Sequence, residues 1–246
     1  MGSRRISSSI LGRLFCAAML ATASTAAVAG NITPVVVEPA VQEPVLVWEG
    51  FYAGGSLGYA SGGDDRVGHR TPAGVNVASP GTLNPGGFNY GLRLGWRGER
   101  LLETRSFVYG VELGYDGGSI EDDFSTATHN AAVELNGALS LRLRSGFTNE
   151  SRNTWFYGMV GYTRGDLDYR VSGTAAGDTI NLDTGFDTDG WSAGLGAERM
   201  LNENLSLTFE WEYTEFDSVV LFDAGGSSTK ATPKYNNFRV GLNFRF

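Results

Sequence analysis

The sequence predicts an all-β fold, a single eight-stranded antiparallel up-and-down transmembrane β-barrel that comprises residues 48–246. Three observations predict it. Apolar and polar residues alternate in eight segments of about ten residues, the length at which a tilted strand crosses a bilayer. Long polar connections and shorter ones follow these segments in turn, which is typical of transmembrane barrels. The polar face of the segments alternates small residues with charged ones, as the interior of a narrow barrel requires.

The eight segments share one pattern, in which apolar residues occupy every second position. They are residues 51–59, 88–97, 107–116, 131–144, 155–164, 190–199, 205–214 and 235–246. In the last of them, Phe238, Val240 and Leu242 alternate with Arg239 and Gly241. A period of two indicates an extended strand with one apolar and one polar face.

One segment, residues 155–164, is less regular because both of its faces are apolar. We assign Trp155, Tyr157 and Met159 to the apolar face that the other segments share, because this choice turns Arg164 to the opposite side.

The composition of the polar face indicates which side of the strands meets water. Glycines alternate with charges there, as in Gly91, Arg93 and Gly95, although glycine within a strand costs stability. A water-exposed surface has no need of these glycines, whereas the lumen of an eight-stranded barrel has room only for small residues between large ones. Aromatic residues such as Phe88 and Trp96 cluster near strand ends, where membrane barrels have their aromatic girdles. We therefore expect the apolar face to contact lipid.

This orientation places charged residues inside the barrel, where unpaired burial would cost several kcal/mol. We predict a cross-barrel network of ion pairs, whose individual pairings stay open. Its predicted members are Arg93, Glu112, Glu134, Arg142, Arg144, Glu198, Glu210, Glu212 and Arg239. Such a network could line a selective pore or fill the lumen as a polar plug, and eight strands favour the plug.

The N-terminus is typical of an exported protein. Residues 1–29 combine early arginines with a short apolar run, and cleavage between Ala29 and Gly30 would remove them as a signal peptide. Residues 30–47 are rich in proline and valine and predict an extended periplasmic leader. Cys16 is the only cysteine and lies within the signal, so the mature chain can have no disulfide and no thiolate metal site.

The mature chain is acidic. Removal of the signal leaves 16 basic and 27 acidic residues, a net charge of −11. This balance argues against nucleic acid as a partner, because phosphate binding needs a basic patch.

Motifs for catalysis or metal binding are weak. Residues 190–194 match G-x-S-x-G but lie within a period-two segment, and the only histidines, His69 and His129, precede the serine in the chain. We expect these histidines to be ordinary loop or rim residues. The acidic run 183–190 fails the spacing of a calcium-binding loop. We therefore predict no catalytic residues, no cofactor and no metal site.

Three stretches resemble a known family. The run GWSAGLGAERMLNENLSLTFEWEY (190–213) is similar to strands six and seven of small eight-stranded outer-membrane proteins related to the OmpA N-terminal barrel and to the opacity proteins of Gram-negative bacteria. FRVGLNFRF (238–246) resembles their final strand, and WEGFYAGGSLGY (48–59) resembles their first.

The resemblance implies an outer-membrane protein with both termini in the periplasm and four long loops outside. Its partners would be outer-membrane lipids and lipopolysaccharide, and also the assembly machinery, which would read Leu242, Phe244 and Phe246 as an insertion signal. The implied role is structural, in envelope integrity, without catalysis. A narrow porin and an adhesin that acts through its loops remain alternatives, and the ligand of such loops stays open.

Overall fold

The structure is a computed structural model that describes residues 46–246. No helix in this part of the chain is long and apolar enough to cross a membrane. The predicted signal peptide, its cleavage site between Ala29 and Gly30, and residues 30–45 of the predicted leader lie outside the described residues.

Eight long strands form a closed antiparallel barrel, which confirms the predicted fold class. Their bounds are β1 Gly50–Gly62, β4 Gly87–Leu101, β5 Ser106–Ser125, β6 His129–Thr148, β7 Thr154–Ala175, β8 Asp178–Met200, β9 Leu205–Phe216 and β12 Lys234–Arg245. Around the barrel they follow the order β1-β12-β9-β8-β7-β6-β5-β4, and β4 closes the ring by pairing with β1.

Outward side chains around one half of the barrel are apolar, as predicted. Leu57 and Phe88 are 73% and 78% exposed, while the residues between the outward positions point inward and are mostly buried. We call this half the belt. It comprises residues 51–59, 88–96, 107–115, 139–147, 156–162, 191–197, 205–213 and 238–246.

The prediction for residues 155–164 is wrong. Trp155, Tyr157 and Met159 point inward and are buried, whereas Val160 and Arg164 point outward. Arg164 can face outward because it lies beyond the belt, where its guanidinium pairs with a carboxylate on β8. The position of the arginine therefore gave no information about which apolar face meets lipid.

Beyond the belt the barrel continues, at the end opposite to Trp48 and Phe246. The strands β5 to β8 run on without interruption. The other four barrel strands lead through short breaks into a four-stranded sheet with the order β10-β11-β2-β3. Its strands are β2 Asp65–Arg70, β3 Asn76–Leu83, β10 Val219–Phe222 and β11 Ser228–Ala231.

We call this second half the cap, and it comprises residues 60–87, 117–135, 164–189 and 215–235. The sequence predicts long polar loops at residues 60–87, 117–130, 165–189 and 215–234, and this expectation is wrong because strands occupy much of each range.

The sheet of the cap adjoins the extended strands at both of its edges. Next to β3, Gly86 forms an isolated bridge with Glu121 of β5, with N–O distances of 3.1 and 3.2 Å. Next to β10, the Asp223 carboxylate accepts a hydrogen bond of 3.0 Å from the backbone N–H of Asn181 in β8. The cap therefore carries the eight-stranded wall beyond the belt.

The polarity of the two faces is reversed in the cap. Its inward side chains form an apolar core that unites β2, β3, β10 and β11 with the extended strands. Members of this core are Ala60, Val67, Leu83, Ile120, Ala131, Val133, Leu135, Leu167, Tyr169, Val171, Ile180, Leu182, Phe216, Leu221, Ala231 and Tyr235. The outward residues between them are mostly polar, as Asp183 is, and Val220 and Phe222 of β10 are exposed apolar exceptions.

Candidate functional site in the barrel interior

The belt encloses a network of five arginines and five carboxylates. The arginines are Arg93, Arg97, Arg142, Arg144 and Arg239, and the acids are Glu112, Asp116, Glu198, Glu210 and Glu212. Each of these side chains is at most 7% exposed. Equal numbers of opposite charges leave this network neutral, which limits the desolvation cost of burying it.

The part of the network nearest to the cap is centred on Arg142. Its guanidinium lies 2.7 Å from Glu212 and 3.0 Å from Asp116. Arg93 approaches Asp116 to 2.5 Å from β4, and Arg239 approaches Glu212 to 2.5 Å from β12. Since these residues come from five strands, the ion pairs cross the lumen and do not merely follow one wall.

The middle of the network is centred on Arg144. It pairs with Glu112 at 2.8 Å and with Glu210 at 3.0 Å. Tyr52 donates a hydrogen bond of 2.7 Å to Glu112, and Tyr157 donates one of 2.7 Å to Glu210. The Arg144 guanidinium also lies 4.1 Å from the centre of the Tyr157 ring, which is a cation–π distance.

Aromatic side chains close the end of the belt that is opposite to the cap. Trp48 and Trp155 are fully buried, with ring centres 5.9 Å apart. The Arg97 guanidinium lies 5.4 Å from the Trp48 ring and 4.4 Å from the Tyr52 ring, and it pairs with Glu198 at 2.6 Å. We call this group of side chains the terminal plug. Trp48 belongs to it and not to the lipid-facing surface.

Glycines on the inward face make room for these large side chains. A Cβ atom on Gly95 would overlap the Tyr52 ring, and one on Gly196 would overlap the Tyr157 ring. These overlaps support the interpretation that glycines on the inward face make room for large side chains, since both glycines lie opposite a tyrosine ring and not at a bend.

The structure brings together eight of the nine predicted network residues, and Glu134 is the exception. Glu134 lies in the cap and points outward. The pairing of β6 with β7 shifts between Leu135 and Gly137, so an extra residue exchanges the two faces of β6 at this point. Val133 and Leu135 stand on the apolar face of the segment 131–144, which predicts that they contact lipid, but they point into the cap core.

The prediction did not include Arg97 and Asp116 in the network. Both residues stand on the polar face of their segments in the sequence, at the segment ends. Their position in the alternation was a sufficient signal, because an end residue on the inward face of a tilted strand still points into the lumen.

The predicted assembly signal lies on the lipid-facing side of β12 and at its end. Leu242, Phe244 and Phe246 are all exposed on the belt, and the Phe244 and Phe246 ring centres are 5.6 Å apart. The backbone N–H of Phe246 donates to the carbonyl of Phe51 at 3.0 Å, so the last residue is held against β1.

A second polar cluster lies inside the cap, where the sequence predicts only loop or rim histidines. His69 and His129 are buried, and their Nδ1 and Nε2 atoms are 3.0 Å apart. His69 Nε2 lies 3.0 Å from Asp178, which also accepts a hydrogen bond of 2.8 Å from Ser227. This chain of hydrogen bonds joins β2, β6, β8 and the turn between β10 and β11.

The proton positions in this series of hydrogen bonds follow from the group that can only accept, which is the Asp178 carboxylate. The hydrogen bonds from Ser227 and His69 hold the pKa of Asp178 below its usual range, so the carboxylate is ionised and only accepts. His69 therefore donates from Nε2 to Asp178, and in the neutral form of its ring Nδ1 accepts from His129 Nε2–H. His129 Nδ1 then accepts from the Thr128 hydroxyl at 2.9 Å. Burial and the neighbouring His69 lower the pKa of His129, which favours the neutral form of the His129 ring.

Two other predictions concern residues of β8. The acidic run 183–190 is not a loop but a part of this strand, where Asp183 pairs with Arg170 at 3.1 Å and Asp187 pairs with Arg164 at 3.0 Å. The serine of the G-x-S-x-G match, Ser192, points into the belt interior and is 1% exposed. Within residues 46–246, no group of three or more histidine, cysteine or acidic side chains is placed to hold a metal ion.

Comparison with known proteins gives consistent matches over most of the chain. The family profile described as "Outer membrane protein beta-barrel domain" matches residues 14–246. The 31 kDa outer-membrane immunogenic protein of Brucella melitensis is 28% identical over 242 residues, which cover 94% of this chain and 98% of that protein. The 22 kDa outer membrane protein of Rhizobium leguminosarum bv. viciae is 28% identical and covers 83% of this chain and 81% of its own length.

Among solved structures, the outer membrane protein OprG from Pseudomonas aeruginosa aligns with a TM-score of 0.46 and 13% sequence identity. The alignment covers 80% of this chain and 96% of that one.

Proposed function

Because the chain belongs to the outer-membrane protein β-barrel domain family, we propose that it is a structural surface protein that stabilises the outer membrane and has neither an open pore nor a catalytic site. The resemblance noted in the sequence is thereby confirmed, and the protein is located in the outer membrane, where its belt contacts lipid. The observation that carries the structural role is the filled interior of the belt.

Three blocks lie along the axis of the barrel. The terminal plug of Trp48 and Trp155 comes first, the charge network occupies the middle, and the apolar core of the cap lies beyond it. A hydrated ion would have to displace all three. Ion pairs in a low-dielectric interior resist separation, because a charge that loses its partner remains buried. This filled interior supports a structural role for the barrel and disfavours the narrow porin.

Single-channel conductance tests this proposal. We expect no steady current from the refolded protein in planar bilayers. The Trp48→Ala, Trp155→Ala, Arg97→Ala triple variant removes only the terminal plug and should also stay closed, because the charge network and the cap core still fill the lumen. A stable wild-type conductance whose ion selectivity changes on Glu112→Gln would overturn the structural role in favour of a pore.

We also infer the orientation and the partners of the barrel. The cap faces the exterior and the chain ends face the periplasm, so lipopolysaccharide surrounds the cap side of the belt. The assembly machinery reads the exposed ring of Phe246. The turn at Ala176 and Gly177 offers a test, because a protease site inserted there should be cleaved on intact cells. Deletion of Phe246 should lower the amount of protein in the outer membrane, whereas Phe246→Tyr should not.

An adhesin remains the second candidate, and the architecture of the cap favours it. The cap has its own apolar core, so its outward side chains are held on strands and could present a fixed surface. Replacement of residues 220–230 by a short Gly-Ser linker should abolish binding to host cells or matrix if the cap is the adhesive part. Unchanged binding would count against this role.

A further inference from the structure

We propose that the outward face of β2, β10 and β11 is a docking face for the anionic head groups of the glycolipids that surround the barrel in its own leaflet. This inference rests on the orientation given above, in which the cap stands outside the membrane. It adds a specific surface and a specific ligand chemistry to the structural role.

The face combines three cations with two apolar side chains. Arg66 and Arg70 of β2 and Lys230 of β11 are exposed, and so are Val220 and Phe222 of β10, the latter by 65%. All five side chains point outward, because the residues that alternate with them, such as Val67 and Leu221, belong to the cap core.

The strand register places these residues side by side. Arg70 is opposite Ser228, and Ser228 is opposite Phe222. Lys230 is opposite Val220 on the next strand. Since directly opposite residues of antiparallel strands share a face and lie about 5 Å apart, the cations and the apolar side chains form one continuous patch.

The cations of this patch are available for a partner. Within the described part of the chain, none of Arg66, Arg70 and Lys230 forms an ion pair within 4.0 Å. The opposite wall of the cap differs, because its charged outward residues are mainly acidic and its arginines, Arg164 and Arg170, are paired. A basic patch on an acidic protein is therefore confined to one side of the cap.

The height of the patch points to head groups as its ligand. Tyr59 and Phe238 lie at the cap end of the belt. Arg66 follows Tyr59 by seven residues, and Lys230 precedes Phe238 by eight residues. A tilted strand of this length rises about 15–20 Å. Arg66 and Lys230 stand at that height, and Arg70 and Phe222 lie farther from the belt. The patch therefore faces sideways, where charged sugars and phosphates stand above the acyl chains. Arginine forms bidentate hydrogen bonds with phosphate, and Phe222 and Val220 can cover the apolar faces of sugar rings.

The test uses the full chain refolded into two kinds of vesicle, one of phosphatidylcholine alone and one with added rough lipopolysaccharide, which carries phosphorylated core sugars. Amide hydrogen exchange is measured in β2 and β11. We expect exchange there to slow about tenfold in the lipopolysaccharide vesicles, as binding stabilises the closed form of these strands. The triple variant Arg66→Ser, Arg70→Ser, Lys230→Ser should lose this protection.

Arg170→Ser is the matched control, since it removes an exposed cation from the acidic wall and should keep the protection. An equal lipid effect in the triple variant would overturn the docking face. So would equal protection by soluble core oligosaccharide or inorganic phosphate at the same phosphate concentration, because the face would then bind anions from solution. Both leaflets of these vesicles are alike, so the result does not depend on orientation, which the protease test on intact cells examines separately.

Discussion

The belt and the cap use the same strands in opposite ways, and β8 shows this within one element. In the cap, Ile180 and Leu182 of β8 point inward and Asp183 points outward. In the belt, Ser192 points inward and Leu195 points outward. The pairing of β8 with β7 continues from one half to the other without a shift of register. The backbone is therefore the same in both halves, and the surrounding medium decides which side chains are outside.

The two halves consequently differ in what holds them together. In the belt, lipid contributes the apolar environment on the outside, and ion pairs across the lumen satisfy the buried charges. In the cap, water is outside and an apolar core is inside, as in a soluble β-sandwich. This difference predicts that equivalent substitutions in the two halves have unequal effects.

Removal of a network carboxylate should have the largest effect. Glu212→Ala removes the nearest carboxylate of Arg142 and of Arg239, which keep only their longer pairs with Asp116 and Glu210, and breaking a buried pair costs about 3–5 kcal/mol. Asp183→Ala breaks an exposed pair in the cap and should change little. Urea unfolding from lipid vesicles measures both. Equal losses would show that the belt interior is not more dependent on pairing than the surface of the cap.

The second largest difference in stability is expected when a charge is placed on the outward face of each half. Leu242→Arg puts a cation on the lipid-facing side of the belt and should cost about 2–4 kcal/mol near the midplane. Val220→Arg puts the same cation on the outward face of the cap, where water solvates it, and should cost little. The same unfolding experiment applies, and a large loss for Val220→Arg would mean that the membrane covers this part of the cap.

A smaller change tests the packing of the cap core. Ile180→Val removes one buried methylene group and should cost about 0.5–1.5 kcal/mol. Asn181→Ala alters the neighbouring outward side chain and should have a smaller effect. Similar values for the two variants would indicate that the cap interior is loosely packed. Both proteins should retain the heat-dependent gel mobility of the folded barrel.

The weakest expected effect is a pH dependence that only the cap contributes. The pKa of His129 is lowered in the folded protein, so the unfolded chain takes up a proton first as the pH falls. Stability from this residue is complete above the ordinary histidine pKa of about 6.5 and declines below it. The urea midpoint should therefore fall between pH 7.5 and pH 5, and His129→Gln should reduce this fall. The lowered pKa of Asp178 acts only in a more acidic range, below the usual value for aspartate.

The sequence was sufficient to predict the belt on every strand but β7, because the alternation places residues such as Leu242 and Arg239 on opposite faces, whereas both faces of residues 155–164 are apolar. Any strand with lipid on one side and a narrow lumen on the other needs that pattern. Most members of the interior network could be predicted from the same alternation. Individual pairings, such as Arg142 with Glu212, could not. These contacts join strands that are distant in the chain, so no local pattern encodes them.

The cap was missed because its outward residues are polar, as loop residues are. Leu167, Tyr169 and Val171 nevertheless occupy every second position of β7, and Ile180 and Leu182 do so in β8. The alternation continues past the membrane with its apolar face turned inward. A search for period two that did not require an apolar exterior would have found these strands. The bulge at residue 136 in β6 has no comparable signal, which is why Glu134 was misplaced.

The distribution of interior charge among the strands has a consequence for how the barrel is built. Arginines stand on β4, carboxylates on β5 and arginines again on β6, so adjacent strands attract one another. If one strand slipped by a single residue, its charges would face hydrocarbon and its leucines would face the lumen. A misaligned strand of the belt would therefore be strongly destabilised by the bilayer before the barrel closes. Water around the cap would disfavour such a misalignment much less.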